Sequence, residues 1–181
     1  MRVSKEKSAE NRARILDAAA RLFREQGVSG VGVDALTEAA GLSHGSLYSQ
    51  FGSKERLADE AMQHALQMTS ARMSDVTTLH DYIARYLTLD HRDRRGDGCV
   101  IAALAGEMPR QADTLRHGFT DAVRGFMKKI ARLSPAGRRT DDEALAIVAT
   151  MVGALTLARA VDNPELAERI LNAARSRLLV E

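Results

Sequence analysis

The stretch "AAGLSHGSLYSQFGSKE" at residues 39–55 contains a turn, a very short polar helix and a second turn. A helix of about six residues gains too little from its own hydrogen bonds to form alone, because helix nucleation is costly. Neighbouring elements must therefore hold this helix in place. The stretch predicts a small packed helical unit and not an isolated element.

The rest of the chain is also patterned for helices. Leu, Ala, Arg and Glu are abundant, Pro occurs only 3 times in 181 residues, and alternating β-branched runs are missing. The 45% apolar content is sufficient for an ordinary core. We therefore predict an all-α protein of about nine helices. Four lie in the first part of the chain, and the others cover about 76–90, 98–106, 110–133, 140–161 and 164–179.

The first part of the chain predicts a three-helix unit followed by a long fourth helix. Apolar residues recur at helical spacing in residues 8–26 and 33–40, and a glycine follows each segment. Ser43 and Ser53 are placed to cap the third and fourth helices with their side chains. The positions expected to point inward are Ile15, Leu22, Phe23, Leu36, Ala40, Leu42 and Leu47.

Only the tripeptide "GLS" joins the second and third helices. A helix, a short turn with Gly and a second helix form the arrangement that presents its second helix to the major groove of DNA. The outward residues of the short helix are small or able to hydrogen-bond, as base edges and phosphates require. We divide the chain into a DNA-binding head at residues 1–55 and a larger helical body at residues 56–181.

The segments "RILDAAARLFREQG" and "VDALTEAAGLSHGSLYSQFGSKERLADEAM" resemble the TetR family of bacterial transcriptional regulators over about residues 12–62. The resemblance implies a helix-turn-helix head, a divergent ligand-binding body and a homodimer formed mainly by the last two helices. It also implies a palindromic double-stranded DNA operator and a small-molecule effector, which we expect to be partly apolar. By the same resemblance the DNA-contacting residues are Ser43, His44, Gly45, Ser46, Tyr48, Ser49, Gln50 and Lys54.

Within that set, the resemblance gives Tyr48 and Lys54 the role of holding phosphates, which suits both Lys and the N-terminus of a helix. A basic run near the N-terminus is a further candidate for phosphate contact, and it comprises Arg2, Lys5, Lys7, Arg12 and Arg14.

The chain departs from the family pattern in three ways. Val31 and Gly32 stand where a Thr or Ser hydroxyl commonly touches phosphate, Thr37 stands where Ala is usual, and His44 stands where Lys is frequent.

The last two predicted helices carry the features expected of a dimer interface. The first has small residues at four-residue spacing, which lets another helix approach closely, and the second has an apolar stripe. The predicted interface residues are Ala146, Thr150, Val152, Ala154, Leu155, Ala158, Leu166, Ile170, Ala174 and Leu178.

A ligand pocket in the body is predicted from Met and aromatic residues on the middle helices, since such side chains adapt to varied apolar molecules. Taken singly, each of these residues fits a core position equally well. The predicted lining residues are Met62, Leu66, Tyr82, Tyr86, Cys99, Met108, Phe119 and Phe126.

Cys99 supports an alternative function as a redox or electrophile sensor. It follows "GDG" at a predicted helix start, where the helix dipole stabilises a thiolate and Arg94 and Arg95 could assist. Against this, lone cysteines are commonly buried and inert. A second alternative is an effector-less DNA-binding protein, against which the long body argues.

Other function classes lack support in the sequence. No zinc-protease motif, phosphate-binding loop or dinucleotide-binding glycine pattern is found, so we expect no enzyme and no cofactor. His64, His80, His91 and Cys99 have spacings that fit no usual metal site. One cysteine excludes an internal disulfide, and the uncharged stretch from 144 to 158 is shorter than a membrane span. We expect a cytoplasmic protein without membrane contact.

Overall fold

A computed structural model describes residues 5–134 and 140–179. These residues form ten α-helices and two short 3₁₀ turns, and none of them lies in a strand. The helices are α1 Lys5–Gln26, α2 Val33–Ala40, α3 His44–Phe51, α4 Lys54–Arg72, α5 Leu79–Tyr86, α6 Leu89–Asp93, α7 Val100–Leu104, α8 Asp113–Leu133, α9 Asp141–Ala160 and α10 Pro164–Leu179. The 3₁₀ turns are Arg95–Asp97 and Met108–Arg110. The predicted all-α class is confirmed.

The head is built from α1, α2 and α3 around one apolar core. Ile15, Leu36 and Leu47 are fully buried there, and Leu22 and Leu42 pack against the same core from its edge. The inward positions predicted from the helical spacing are therefore confirmed. Burial of several large side chains supplies the stability that an eight-residue α3 lacks alone.

Glycines end the first two helices as predicted. Gly27 has φ 79° after α1, and Gly41 has φ 63° after α2, where its backbone N–H donates to the carbonyls of the last helical turn. This left-handed conformation is strained for residues with a Cβ, so glycine is the residue that closes each helix without strain.

The two predicted serine caps differ. Ser53 accepts a hydrogen bond from the Arg56 backbone N–H at 3.1 Å, which confirms the cap of α4. Ser43 occupies the N-cap position of α3, but its side chain makes no capping hydrogen bond, so that prediction is wrong. The first-turn amides of α3 are therefore left without a side-chain acceptor.

The segment predicted as one helix over 76–90 is broken into α5 and α6. Leu87 turns into the core, and Thr88 accepts a hydrogen bond from the His91 backbone N–H and so caps a new helix. This break raises the count in the described ranges from the expected nine helices to ten. The threonine cap thus begins a second helix within a segment whose apolar periodicity alone predicts one continuous helix.

The body is a bundle in which α8 packs on α4 and α9, and α9 packs on α10. The long helix α4 also packs along α1, so it crosses the boundary predicted at residues 55 and 56 and touches both head and body. By length and composition alone, α9 could cross a membrane, contrary to our expectation. One such helix is weak evidence, since a core helix has the same composition, and the inner side of α9 is buried in the bundle.

Candidate nucleic-acid interface and ligand cavity

Helix α3 presents a polar face to solvent from a buried base. Leu47 and Phe51 anchor the helix in the head core, whereas Tyr48 is 49% exposed. The other predicted contact residues of this helix share that outer side. Ser43, His44, Gly45 and Ser49 are exposed, and Ser46 and Gln50 are half-buried.

Some polar atoms on this face are already engaged within the protein. The Ser49 hydroxyl donates to the Ser46 carbonyl at 2.9 Å, and the Gln50 amide donates to the Ser8 hydroxyl at 2.7 Å. The His44 Nε2 atom contacts the carboxylate of Asp34 of α2. Among the described residues, the Tyr48 hydroxyl has no hydrogen-bond partner, so it is the most available polar group on α3.

The start of α4 lies directly after this face. Lys54 is the first residue of α4, and it is half-buried beside the capped first turn. A helix N-terminus carries partial positive charge, and a lysine there adds a full charge. The two features together make this end of α4 suited to an anion such as a phosphate.

The basic run near the N-terminus is largely occupied by contacts within the protein. Lys7 pairs with Glu10, and Arg12 pairs with Glu60 of α4. Arg14 donates to the Gly41 carbonyl at 3.4 Å. Arg2 lies outside the described residues. Arg12 and Arg14 therefore connect α1 to its neighbours.

The departures from the family pattern have local explanations. Gly32 is the N-cap residue of α2 and offers no side-chain hydrogen bond. Thr37 is buried, and its hydroxyl donates to the carbonyls of Val33 and Asp34, each at 3.0 Å. The threonine hydroxyl is thus satisfied within its own helix and does not disturb the packing of the head.

A cavity of about 310 Å³ lies in the body between α4, α5, α7 and α8. Its buried end is formed by residues from α5, the start of α7 and α8, and its mouth by exposed residues of α4 and α8. The lining residues are Gln63, Leu66, Thr69, Ser70, Tyr82, Tyr86, Cys99, Val100, Ile101, Asp121, Ala122, Gly125, Phe126 and Lys129.

The cavity brings together five of the eight residues predicted for a ligand pocket, namely Leu66, Tyr82, Tyr86, Cys99 and Phe126.

The other three predicted lining residues lie elsewhere. Met62 is in the core between α4 and α8, with its methyl group beside Gly118. Met108 and Phe119 line a separate surface depression. The lining residues that sequence reasoning missed include Val100, Ile101, Gly125 and Lys129.

Three aromatic rings form one wall of the cavity. The ring centres of Tyr82 and Tyr86 are 6.4 Å apart, and each is 5.9 Å from the ring centre of Phe126. Burial raises the pKa of the Tyr82 and Tyr86 phenols above their ordinary value, so both stay neutral. The wall thus offers apolar ring surface and phenolic hydroxyl groups.

Cys99 and His91 fix the buried end of the cavity. The His91 Nδ1–H donates to the Tyr86 carbonyl at 2.7 Å, and His91 Nε2 accepts from the Cys99 backbone N–H at 3.0 Å. Burial lowers the pKa of His91 to about 4, so the imidazole is neutral near pH 7, as these two hydrogen bonds require. Cys99 itself is only 6% exposed.

Two arginines lie near this end of the cavity, and Arg24 is buried whereas Arg159 is half-buried. Arg24 of α1 donates to the carbonyls of Ala20 and Gly98, and Arg159 of α9 donates to the carbonyls of His91 and Arg92. Burial lowers the pKa of both guanidinium groups, yet an arginine remains charged. Of the two arginines expected to assist Cys99, Arg94 pairs with Asp97 and Arg95 donates to the Arg159 carbonyl, so their assistance stays a prediction.

A carboxylate of the body holds the link between α1 and α2. Glu107 accepts hydrogen bonds from the backbone N–H groups of Val28 at 2.7 Å and Ser29 at 3.2 Å. Gln111 donates to the Ser29 hydroxyl at 2.8 Å and to Glu107 at 3.2 Å. Because Glu107 follows α7 closely, this link joins the cavity wall to the head.

An unpartnered apolar face runs along α9 and α10. Leu145 and Leu157 of α9 are 40% and 57% exposed, and Leu166 at the start of α10 is 43% exposed. Ala146, Thr150 and Val152 lie at this surface or at its edge, as do Ile170, Ala174 and Leu178.

Three predicted interface residues are not on that face. Ala154, Leu155 and Ala158 are buried inside the bundle of their own chain. Leu145 and Leu157 hold the exposed positions instead, and sequence reasoning missed both.

No group of three or more potential metal ligands exists among the residues that the structure describes.

Comparison with known proteins gives a family match in the head. The family described as "Bacterial regulatory proteins, tetR family" matches residues 15–61. Over 139 residues the chain is 29% identical to the transcriptional repressor DhaR of Mycobacterium sp. strain GP1, covering 71% of this chain and 68% of that protein. It is 37% identical over 65 residues to the repressor KstR2 of Mycobacterium tuberculosis. This match covers 36% of this chain and 32% of that protein.

Solved structures are similar over nearly the whole chain. A TetR transcriptional regulator from Chloroflexus aurantiacus has a TM-score of 0.78 at 25% identity and covers 96% of both chains. The reduced form of NemR from E. coli has a TM-score of 0.75 at 20% identity and covers 93% of this chain and 95% of its own. The curated relatives are named as transcriptional repressors or regulators, not as enzymes.

Proposed function

The chain belongs to the TetR family of bacterial regulatory proteins, and from that premise we propose that it is a repressor that binds a palindromic operator as a homodimer and is released by a small molecule. It is a helix-turn-helix transcriptional regulator and not an enzyme. The observation that carries the proposal is the polar outer face of α3 on a rigid, buried base. Such a helix is suited to the major groove.

In this proposal α3 reads base edges, and two flanking groups hold the backbone. Gly45 and Ser46 let the helix approach the base edges closely, with His44 beside them. Tyr48 offers a free hydroxyl to a phosphate, and Lys54 places a positive charge at the N-terminus of α4. Contacts to phosphate set affinity and register, whereas contacts to base edges set sequence preference.

Dimerisation uses the unpartnered face of α9 and α10. Two copies of that face would form a four-helix contact in which Leu145, Leu157 and Leu166 become buried. A two-fold dimer places two recognition helices roughly 34–36 Å apart, one turn of DNA, and so matches a palindrome. A regulator of this kind acts in the cytoplasm, where its operator lies.

The cavity is the proposed effector site, and two routes connect it with the head. The start of α7 forms part of the cavity wall, while Gly98 just before it accepts a hydrogen bond from Arg24 of α1. After α7, Glu107 holds the α1–α2 link. An effector that binds more tightly when α7 is displaced would therefore favour a conformation with the head in a different position. That shift would lower the affinity for the operator.

Cys99 as a redox sensor is the less favoured mechanism. Oxidant-sensing thiols are typically accessible to solvent, whereas Cys99 is 6% exposed and lines the buried end of the cavity. An effector-less DNA-binding protein has no need for a cavity of about 310 Å³. The test for Cys99 is oxidant-induced release from DNA, which we expect to be the same in Cys99→Ser as in the wild type.

The proposal is tested by fluorescence anisotropy with labelled DNA from upstream of the protein's own coding sequence. We expect saturable binding that a palindromic competitor reverses and a scrambled competitor of equal length does not. Binding that both competitors reverse equally would show that the protein does not read sequence, and the proposal would be rejected.

A further inference from the structure

The cavity walls suit an aromatic ring. Tyr82, Tyr86 and Phe126 lie within about one ring width of each other, and Leu66 and Ile101 complete an apolar lining. Offset-stacked and edge-to-face contacts between rings stabilise by about 0.5–1.5 kcal/mol each. A volume of about 310 Å³ is at the small end for ligand sites and admits one or two rings.

Tyr86 lines the buried end of the cavity and carries a fully buried hydroxyl group. Tyr86 is 4% exposed, and its hydroxyl oxygen makes no hydrogen bond within the described residues. The neighbouring Cys99 sulfur is only a weak acceptor. A buried polar group left unpaired is unfavourable by about 1–3 kcal/mol, so a ligand oxygen that accepts from this phenol would remove that penalty.

The mouth of the cavity holds a cation without a carboxylate partner. The Lys129 ammonium lies 5.0 Å from the centre of the Tyr82 ring, over a wall of the cavity. Within the described ranges no carboxylate pairs with it, and partial burial lowers the pKa of Lys129. Asp121 lies at the same mouth, but its carboxylate pairs with Arg124 at 3.1 Å.

The buried end is also positive. Arg24 and Arg159 donate only to backbone carbonyls in the part of the chain that is described, and neither forms an ion pair there. The positive charge of Arg159 acts on the Tyr86 phenol. The charge of Asp97 raises the pKa of Arg24, but the Asp97 carboxylate forms its ion pairs with Arg72 and Arg94.

We propose that the effector of this regulator is an aromatic carboxylate, whose ring packs against Tyr82, Tyr86 and Phe126 while its carboxylate pairs with Lys129. This inference rests on the proposed function, in which the cavity is the effector site. A ligand oxygen at the buried end accepts from the Tyr86 hydroxyl. The anion compensates Lys129, which lacks a carboxylate partner in the described chain, while Arg24 and Arg159 add positive charge near the other end of the cavity.

A glycine keeps the mouth of this site open. A Cβ added at Gly125 of α8 would meet nothing within 4 Å, although glycine within a helix is unfavourable by about 0.5–1 kcal/mol relative to alanine. By contrast, a Cβ at Gly118 would meet Asp59 of α4 at 2.4 Å, so that glycine serves close helix packing. Gly125 has no such packing role, and its lack of a side chain preserves the entrance.

The proposal is tested by isothermal titration calorimetry on the full chain without DNA, using 2-naphthoate and its neutral isostere 2-naphthamide. A charge-assisted contact predicts that the wild type binds 2-naphthoate at least ~10-fold more tightly than 2-naphthamide. In Lys129→Met this preference should fall to less than about 3-fold, and Lys129→Arg should keep it. Lys128→Met removes the same charge from the neighbouring exposed position, and it should leave the preference unchanged.

Two further variants locate the ring and the buried oxygen contact. Gly125→Leu fills the mouth and should weaken binding of both probes at least ~10-fold. With 6-hydroxy-2-naphthoate as the probe, Tyr86→Phe should remove any gain in affinity over 2-naphthoate. Each variant is first compared with the wild type by thermal unfolding, so that a folding defect is recognised.

Several results would overturn the proposal: equal affinity of the wild type for the two naphthalene probes, no binding of either, or a carboxylate preference that survives in Lys129→Met. Because the titration contains no DNA, these results concern the effector class alone. Failure of sequence-specific DNA binding would instead reject the proposed function, whatever the calorimetry shows.

Discussion

The outer face of α3 is polar, exposed and carried by one run of eight residues, whereas the cavity is apolar, largely buried and assembled from four helices. The face of α3 depends on neighbours only for its base, through Leu47 and Phe51. The cavity depends on neighbours for every wall. Substitutions on the face of α3 should therefore change DNA contacts with little effect on stability. Substitutions around the cavity should alter ligand binding and packing together.

The largest effect should come from removing the base of α3. Leu47→Ala deletes a fully buried side chain. We expect the unfolding free energy to fall by about 2–5 kcal/mol and operator binding to be lost. Leu66→Ala is the matched change at a half-buried cavity wall and should be milder. Urea unfolding measures both. Equal losses would show that α3 is no more dependent on its core than the cavity is.

The second effect concerns pH and the buried end of the cavity. The folded-state pKa of His91 is about 4, against an ordinary value of 6.5, so the unfolded chain takes up the proton first. Above pH 6.5 His91 is neutral in both states and does not lower the unfolding free energy. As pH falls from 6.5 toward 4, proton uptake by the unfolded chain lowers the unfolding free energy by up to about 3 kcal/mol. His91→Gln should flatten the stability profile in that window. Identical slopes in the two proteins would contradict a neutral buried His91.

The third effect tests the link between body and head. Glu107→Ala leaves the amides of Val28 and Ser29 without their carboxylate acceptor, and we expect a loss of about 1–2 kcal/mol in unfolding free energy. Glu107→Gln keeps one acceptor oxygen and should lose less. If the alanine variant unfolds as the wild type does and responds to effector equally, Glu107 does not join the two parts.

The fourth effect is confined to DNA binding. Lys54→Ala should weaken operator binding about tenfold and reduce the salt dependence by roughly one phosphate contact, without changing sequence preference. Lys128→Ala removes a charge from exposed α8 and should change neither quantity. Anisotropy titrations at several salt concentrations provide the measurement. An unchanged salt slope in Lys54→Ala would remove this residue from the DNA interface.

The smallest effect contrasts two glycines of α8. Gly125→Ala adds a methyl group into open space and should raise stability by about 0.5–1 kcal/mol. Gly118→Ala should lower it, because the Cβ would press on Asp59 and Met62 of α4. Thermal unfolding compares the two. A loss of stability in Gly125→Ala would show that this position is packed and not open.

The sequence was most informative where neighbouring residues on one helix decide the outcome. The inward positions Leu36 and Leu47 and the helix end at Gly41 follow from local spacing and backbone preference. The Ser43 cap failed because a favourable residue type does not fix its rotamer, and the break at Thr88 was missed because periodicity continues across it.

The row of small residues predicted as an interface on α9 does not stay on one side of the helix. A spacing of four residues advances about 40° around a helix of 3.6 residues per turn at each step, or about 120° over three steps. The row that begins exposed at Ala146 therefore ends buried at Ala158, and Leu145 and Leu157 occupy the outer face instead.

The cavity was only partly predictable for a further reason. Lys129, Gly125 and Val100 resemble ordinary helix residues in sequence, and only the arrangement of α4, α5, α7 and α8 brings them to one space. Met62 and Phe119 are of residue types expected in a pocket, but Met62 lies in the core and Phe119 lines a separate surface depression.

We propose that two copies of the α3 face read one palindrome. Sedimentation velocity with fluorescently labelled operator tests this stoichiometry, because the mass of the complex gives the number of chains bound. We expect two chains on the intact palindrome and loss of the complex when one half-site is scrambled. A complex that contains one chain, or one that persists unchanged on the half-scrambled DNA, would contradict the account.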